Sequence, residues 1–437
     1  MSFLVIFACI ALLIVMITWA KINPFLAFLI VSILAGLLLG IPFNKIITSV
    51  QKGIGDTLGS LVIIIVLGAM LGKLVADSGA AQKIATVMMN LFGVKYIQWA
   101  LLFTGIIIGI PLFYGVGFVL MVPLIFSIVY QYKLPAVSTG LPMIAALSVT
   151  FGFLPPHPAP VALASQFHAS LGLTLIYGLI IAIPAIIIAG PLFAKTLRNI
   201  SSTPLETFHG KTMSENRLPG AVSSFICALL PVILLMGTTV LSRFISPSTM
   251  FGQVINFLSE PAIVMLISLA VATLVLGIQQ GSSIKKVMSI YSDAVKDIAM
   301  ILLIIGSSGA LKQVITDSGV SDRIALQLNN MHAQPLLVAW VIAAIIRICV
   351  GSATVAGLTT AGLLAPLALQ GSVNPNLMVL SIGAGSLACS HVNDSGFWMF
   401  KEYFNLSIKD TFRSWTMMET IISVIGLAGV LILNIFI

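Results

Sequence analysis

Charge is what this sequence lacks most. Of its 437 residues, 8% are Asp, Glu, Lys or Arg and 59% are hydrophobic, whereas a soluble domain carries about 25% charged residues. So little charge cannot cover a water-facing surface, and a soluble globular fold is excluded. The charge that exists is unbalanced, 21 basic residues against 13 acidic, but the basic residues are scattered through short loops. With no dense basic patch, nucleic acid is not a partner. Cysteine is also scarce: Cys9, Cys227, Cys349 and Cys389 all lie in apolar runs, without zinc or redox spacing, and read as small core residues. The sequence contains no His-Glu-x-x-His, no Gly-x-Ser-x-Gly and no paired intramembrane aspartates of the Gly-x-Gly-Asp kind. The signatures of an embedded metal, serine or aspartyl enzyme are therefore missing, and no catalytic residue, cofactor or metal is expected.

What is abundant is apolar sequence in long runs. Many reach roughly 18 to 24 residues, enough to cross a hydrocarbon layer of about 30 Å as a helix. The first, Phe3 to Trp19, has no basic n-region and no small-residue cleavage site before Lys21 and Asn23, so it reads as a retained span, not a signal peptide. The chain is an all-α polytopic membrane protein with the lipid bilayer as its solvent.

The chain repeats itself. Met70 to Ala85 returns as Ala310 to Ala325, with Asp77-Ser78-Gly79 matching Asp317-Ser318-Gly319 and Ile84-Ala85 matching Ile324-Ala325. The surroundings correspond as well. Spans are expected near 2–20, 22–41 and 57–76, a broken pair near 97–110 and 116–132, then spans near 136–154 and 172–195. The second half offers 219–242, 258–278, 297–316, a broken pair at 335–350 and 355–370, then 376–390 and 415–437. The arms of each broken pair are marginal for crossing and meet at glycine-rich sequence, which favours re-entrant helical hairpins buried in protein. Each half then holds about five spanning helices, a hairpin and an unwound helix. An odd number of spans makes the two repeats inverted, an arrangement that points to a secondary transporter.

Charge supplies an independent test. Of the 21 basic residues, Lys45, Lys52, Arg243 and Arg323 fall on one side of this threading, Lys73, Lys312 and Arg347 lie within helices, and the other fourteen share the opposite side. Basic loops stay in the cytoplasm, so both termini are expected outside and the polar stretch from Thr196 to Leu218 inside.

Two further breaks follow the hairpins. Pro155, Pro156, Pro158 and Pro160 interrupt one span, since proline lacks the amide proton a continuing helix needs. In the second half Cys389-Ser-His-Val-Asn-Asp-Ser-Gly396 favours non-helical backbone. Tips and unwound segments are expected to converge, presenting freed amides and helix N-termini to an anionic group. A carboxylate is the natural guest. Gly115 and Gly117 allow close backbone approach at the first tip. Ser352, Thr354, Ser390 and Asn393 offer hydrogen bonds to ligand hydroxyls. His157, His391 and Asp394 are ionisable groups at breaks, against which stands a capping role for His157 and Asp394. Arg347 has two readings: it binds the substrate carboxylate, or it locks a hairpin through carbonyls or Asp394. Asp77 and Asp317 read as helix-end residues.

At these residues the sequence resembles the gluconate permease family. The pieces that carry the resemblance are Gly59-Ser60 with Gly68-Ala-Met-Leu-Gly72, Gly152-Phe-Leu-Pro-Pro-His-Pro158, Arg347 with Gly351-Ser-Ala-Thr-Val-Ala356, and Ser390-His-Val-Asn-Asp394 followed by Gly396-Phe-Trp398 and Lys401-Glu-Tyr-Phe404. The resemblance implies import of gluconate or a related sugar acid, with D-serine in one branch, in symport with protons. It also implies a bacterial inner-membrane homodimer in which a transport domain moves against a fixed scaffold. On that pattern residues 1–56 and 219–296 are scaffold, 57–195 and 297–437 transport elements, and 196–218 the cytoplasmic linker. A channel is the rival reading, though hairpin pores are expected to expose repeated rings.

Three positions depart from the family pattern. Family members usually carry glutamate in the first tip, where this chain has Gly115; Ala159 replaces a glycine; and Ser395 stands at a frequent proline, as in the D-serine branch. If the tip glutamate carries the coupling proton in relatives, coupling here is moved to His157, His391 or Asp394, or is absent. Weakened coupling is the expectation, because no carboxylate lies near Gly115 in sequence.

Overall fold

The computed structural model describes residues 2–200, 202, 213–214, 217–242, 244–246, 248–319, 334–368, 373–392 and 394–437. Within them the chain is helical, and six helices are long and apolar enough to cross a membrane. The first half runs α1 (Ser2–Thr18), α2 (Pro24–Leu38), α3 (Phe43–Asp77), α4 (Ala80–Phe92), α5 (Ile97–Gly109), α6 (Tyr114–Tyr132), α7 (Ala136–Phe153), α8 (Pro158–Gln166) and α9 (Leu171–Leu197). The second half runs α10 (Ala221–Leu241), α11 (Met250–Ser259), α12 (Pro261–Ile278), α13 (Ile284–Asp317), α14 (Pro335–Val350), α15 (Ala353–Ala368), α16 (Pro375–Gly385), α17 (Ser395–Tyr403) and α18 (Ile408–Phe436).

The repeated motif has the same local structure in both copies. In α3 the amide of Ser78 returns to the Leu74 carbonyl and Gly79 follows at φ 80°. In α13 Ser318 returns to Val314 and Gly319 follows at φ 69°. A left-handed glycine ends a helix without a Cβ penalty, so Asp77 and Asp317 occupy the last helical positions.

The sequence reading was too short at both of these helices. Spans were expected from 57 and 297, but α3 begins at Phe43 and α13 at Ile284. At about 1.5 Å per residue each is about 50 Å long, so their polar first turns exceed the hydrocarbon layer. The boundaries drawn at 56/57 and 296/297 therefore fall inside helices, the first close to a 45° bend between Gly59 and Leu61. The two helices pack against each other at a glycine crossing. A Cβ on Gly309 would sit 2.4 Å from the Gly53 carbonyl oxygen and 2.1 Å from Thr57 Oγ1, so backbone meets backbone, as small residues permit in membrane helix pairs.

The broken pairs appear as expected. The first turns through Pro111 to Phe113 and the second through Gly351, left-handed at φ 78°, and Ser352. Leu154 to His157 is unwound between α7 and α8, and α8 restarts with Pro158 at its first position, where a missing amide proton costs nothing. The second break, described from Ser386 to Val392, lies between α16 and α17 and includes Cys389 at φ 49°, an uncommon conformation for a residue with a side chain.

Burial orders the helices. The α7–α8 span is 94% enclosed by protein and α10 only 28%, so α7 and α8 form the centre and α10 faces outward. Of the cysteines read as core, Cys9 and Cys227 are buried, but Cys349 is exposed and Cys389 is half-buried in the unwound segment. The helix stripe that carries Cys349 is turned away from the packed interior.

Candidate functional site

The two hairpin tips meet the second unwound segment around a cavity of about 430 Å³. Tip one contributes Leu112 to Val116, tip two Gly351 to Thr354, and the restart of α17 contributes Asp394 to Gly396. The opposite wall is the α3–α13 pair, through Gly72 and Lys73 on one helix and Asp297 and Ile301 on the other. Ser148 of α7 and Trp415 and Glu419 of α18 close the remaining side.

Three helices thus begin at the cavity: α6, α15 and α17. Each helix start leaves backbone amides without intrahelical partners and a partial positive charge. The first return bonds are Gly117 amide to Phe113 carbonyl and Ala356 amide to Ser352 carbonyl, so the amides of Tyr114 to Val116 and of Ala353 and Thr354 precede the helical ladders. This is a site for an anion.

Arg347 is 3% exposed, and its Nη2 donates to Asp394 Oδ2 at 2.5 Å. Asp394 Oδ2 also accepts from Ser390 Oγ, which in turn accepts from Trp415 Nε1 at 2.8 Å. The other carboxylate oxygen of Asp394 accepts from the Gly396 amide at 3.0 Å and caps α17. The capping role weighed for Asp394 and the locking role weighed for Arg347 therefore meet in one side chain. Arg347 does lock the second hairpin to the break, yet its Nε and Nη1 have no hydrogen-bond partner among the described residues.

Those two nitrogens are not alone. Tyr114 Oη and Glu419 Oε2 are likewise buried without a partner among the described residues, and all three side chains line the same cavity. Buried polar atoms are normally paired. Four unpaired ones around a single cavity leave bonding capacity for a polar guest. Glu419 is 2% exposed and its Oε1 accepts from Ser148 Oγ at 2.5 Å.

Of the residues singled out in the sequence, Gly115, Arg347, Ser352, Thr354 and Asp394 line the cavity. Gly115 is open to it, with no atom within 4 Å of where a Cβ would stand. Gly117 is instead packed on α7, its Cβ position 3.1 Å from Leu147. Ser390 sits behind the wall in the Trp415–Asp394 chain. His391 donates through Nε2 to the Ile348 carbonyl at 3.0 Å, away from the cavity lining. Asn393 lies outside the described residues.

His157 stands apart from the other candidates. It does not line the cavity. Its Nε2 donates to the Gly109 carbonyl at 2.6 Å, and its ring is edge-on to Phe113 and Phe151. The first unwound segment therefore buttresses the first tip from behind, holding a carbonyl that the end of α5 would leave unpaired. The sequence reading missed Tyr114, Ser148, Trp415 and Glu419 as cavity residues, and with them the Lys73–Asp297 ion pair of 3.0 Å across the α3–α13 wall. A usable signal existed for Glu419, the one acidic residue in the last apolar run, since an ionisable residue at membrane depth is a functional hypothesis by default. The third intrahelical cation, Lys312, donates to the Gln166 carbonyl at 3.1 Å, the position at a helix C-terminus that favours a cation.

Comparison with known proteins agrees with this architecture. The family described as GntP family permease matches residues 1–436. The high-affinity gluconate transporter of Escherichia coli K12 is 48% identical over 426 residues, 97% of each chain. The Gnt-II system L-idonate transporter of the same organism is 45% identical over 435 residues, 99% of each, and the gluconate permease of Bacillus subtilis is 46% identical over 430 residues, 95% of each. Among solved structures, the Alcanivorax borkumensis YdaH transporter superposes with a TM-score of 0.68 at 15% identity, covering 95% of this chain and 98% of its own. Neisseria gonorrhoeae MtrF does so at 0.67 and 13%, covering 96% of each. These two establish likeness of fold alone. The sequence matches establish lineage: this multi-pass membrane protein is a permease, not an enzyme, and belongs to the GntP family.

Proposed function

We propose that the protein imports gluconate or a closely related aldonate across the bacterial cytoplasmic membrane, coupled to protons. The observation that carries this reading is the convergence of three helix N-termini and the unpartnered nitrogens of Arg347 on one cavity. A carboxylate answers both: its oxygens accept from the tip amides and from the guanidinium, and its hydroxyl-bearing tail meets Ser352, Thr354 and Tyr114. The volume falls within the usual range for small-molecule sites, roughly 300 to 1,000 Å³. Relatives named for gluconate and for L-idonate, at 48% and 45% identity, support an aldonate over D-serine despite Ser395.

The mechanism we assign is an elevator movement of the hairpins, α7, α16 and α17 against a scaffold. The cavity lies between the tips and the α3–α13 pair, which is the seam such a movement requires. In this proposal the two repeats are inverted, the termini face outward, residues 196–218 face the cytoplasm, and the protein works as a homodimer. The matching ends of α3 and α13 and the fourteen-to-four bias of basic residues support the topology. This seam puts the cavity-facing parts of α3 and α13 on the scaffold side, so the proposed division falls after Asp77 and Asp317 and no longer at 56/57 and 296/297.

The test is uptake by proteoliposomes offered labelled gluconate, idonate and D-serine, with and without an imposed pH gradient. Saturable gluconate uptake that is driven by an inward proton gradient and shows counterflow is expected. D-serine accumulation with no aldonate uptake refutes the substrate, and gradient-independent gluconate equilibration refutes the coupling.

A further inference from the structure

The missing tip carboxylate has a replacement that only the fold reveals. Gly115 begins the second arm of the first hairpin and Glu419 lies in the last helix, 304 residues away in sequence, yet both line the same cavity. We propose that Glu419 is the proton-binding residue of this transporter, its protonation linked to binding of the substrate carboxylate. This deepens the functional reading above and rests on it.

Three observations carry the argument. Glu419 is buried and lines the cavity, its Oε1 held by Ser148 Oγ, while Oε2 has no partner among the described residues. An ionised carboxylate left with an unpartnered oxygen at such a site is costly, and either a proton on that oxygen or a nearby cation relieves the cost. The cation within the same cavity is Arg347, already half-used by Asp394. Charge counting then links proton and substrate. Lys73 offsets Asp297, and Arg347 offsets Asp394. With Glu419 protonated the cavity is neutral and Arg347 offers its free nitrogens to the entering carboxylate. With Glu419 ionised, a second anion would enter a low-dielectric space that already holds uncompensated negative charge.

The other groups facing Glu419 do not supply the linkage. Tyr114 of α6 presents a phenol, α7 and α16 carry no ionisable side chain, and Tyr177 and Lys195 of α9 lie outside the cavity lining. Asp394 has both oxygens occupied, and His157 and His391 are committed to carbonyls outside the lining. The transport cycle then carries one proton on Glu419 Oε2 with each substrate anion. Both leave when the cavity opens to the other side.

The experiment measures gluconate affinity of the purified protein against pH, in the wild type and in Glu419→Gln, together with proton uptake in weak buffer. Linkage to one proton gives a limiting slope of tenfold weaker binding per pH unit on the alkaline side, with about one proton taken up per substrate bound there. Glu419→Gln, a permanent mimic of the protonated acid, should bind with a flat pH profile and take up no proton. A wild-type slope retained in Glu419→Gln overturns the proposal. Should that variant not fold, pH-independent binding without proton uptake by the wild type overturns it equally. Failure of the wild type to bind any aldonate refutes the substrate reading instead, so the two failures are told apart.

Discussion

Arg347 serves the fold and, on the present reading, the ligand, and a pair of substitutions separates the two duties. The guanidinium is 3% exposed and the Asp394 carboxylate 14%, so replacing Arg347 by methionine strands a nearly buried anion. Breaking a buried pair by removing one partner costs about 3–5 kcal/mol. Ser390 Oγ and the Gly396 amide still donate to Asp394, which places the cost near about 3 kcal/mol, the low end of that range. Asp394→Asn in the same chain removes the stranded charge and keeps a good N-cap for α17, since asparagine caps as well as aspartate. The double variant should therefore recover most of the lost stability, read as the denaturation midpoint in detergent. Substrate binding should not recover. Loss of a hydrogen bond to a charged group is worth roughly 1.5–3 kcal/mol, or about ten- to a hundredfold in affinity, and neither variant restores the free Nε and Nη1. Gluconate affinity measured by equilibrium binding on both proteins decides the matter. A double variant that is stable and binds like wild type would make Arg347 a latch and nothing more.

Gly115→Glu should fold normally, because no atom lies within 4 Å of the Cβ position, and should steepen the pH dependence of gluconate affinity by adding a second proton-linked carboxylate to the cavity; an unchanged slope would place the tip outside the site. His157→Ala leaves the Gly109 carbonyl buried and unpaired, which should lower stability by about 1–3 kcal/mol while leaving the pH slope of binding intact. Loss of that slope would return His157 to a coupling role. Gly309→Leu forces a side chain into a space where Thr57 Oγ1 stands 2.1 Å from the new Cβ, and should cost about 1–3 kcal/mol or more through overpacking. Wild-type thermal stability in that variant would show that the helices part without penalty.

The hairpins and breaks were legible in the sequence because they are made by local backbone chemistry. Arms expected at 97–110 and 335–350 appear as Ile97–Gly109 and Pro335–Val350, and the chain unwinds where prolines cluster and again in the polar stretch ahead of Asp394. The polar start of α3 was not legible. Asn44, Lys45, Gln51, Lys52 and Asp56 look like a loop to a hydropathy scan, yet the helix continues through them because it has α13 to lie against. The site was half legible for the same reason. Gly115, Arg347, Ser352, Thr354 and Asp394 stand at backbone breaks, which sequence reports, whereas Ser148 and Glu419 stand on unbroken helices and join the site only through packing. The expectation of weakened coupling followed from searching for a replacement carboxylate near Gly115 along the chain, whereas the carboxylate proposed above, Glu419, comes from the opposite end.

The enclosure of α7 and α8 sets how this sequence can drift. Their span is the least hydropathic of the six long helices and the most completely surrounded by protein, so apolarity falls toward the middle of the molecule, the reverse of a soluble domain. On the outward faces of α10 and α18 one aliphatic residue can replace another freely, since lipid chains adapt to any shape, while a charge is heavily penalised. Along α7 the constraint is volume. Ser148, Thr150 and Gly152 are accommodated there because neighbouring helices supply the bonds and the close fit, and a larger hydrophobic residue at any of them would do more harm than a polar one.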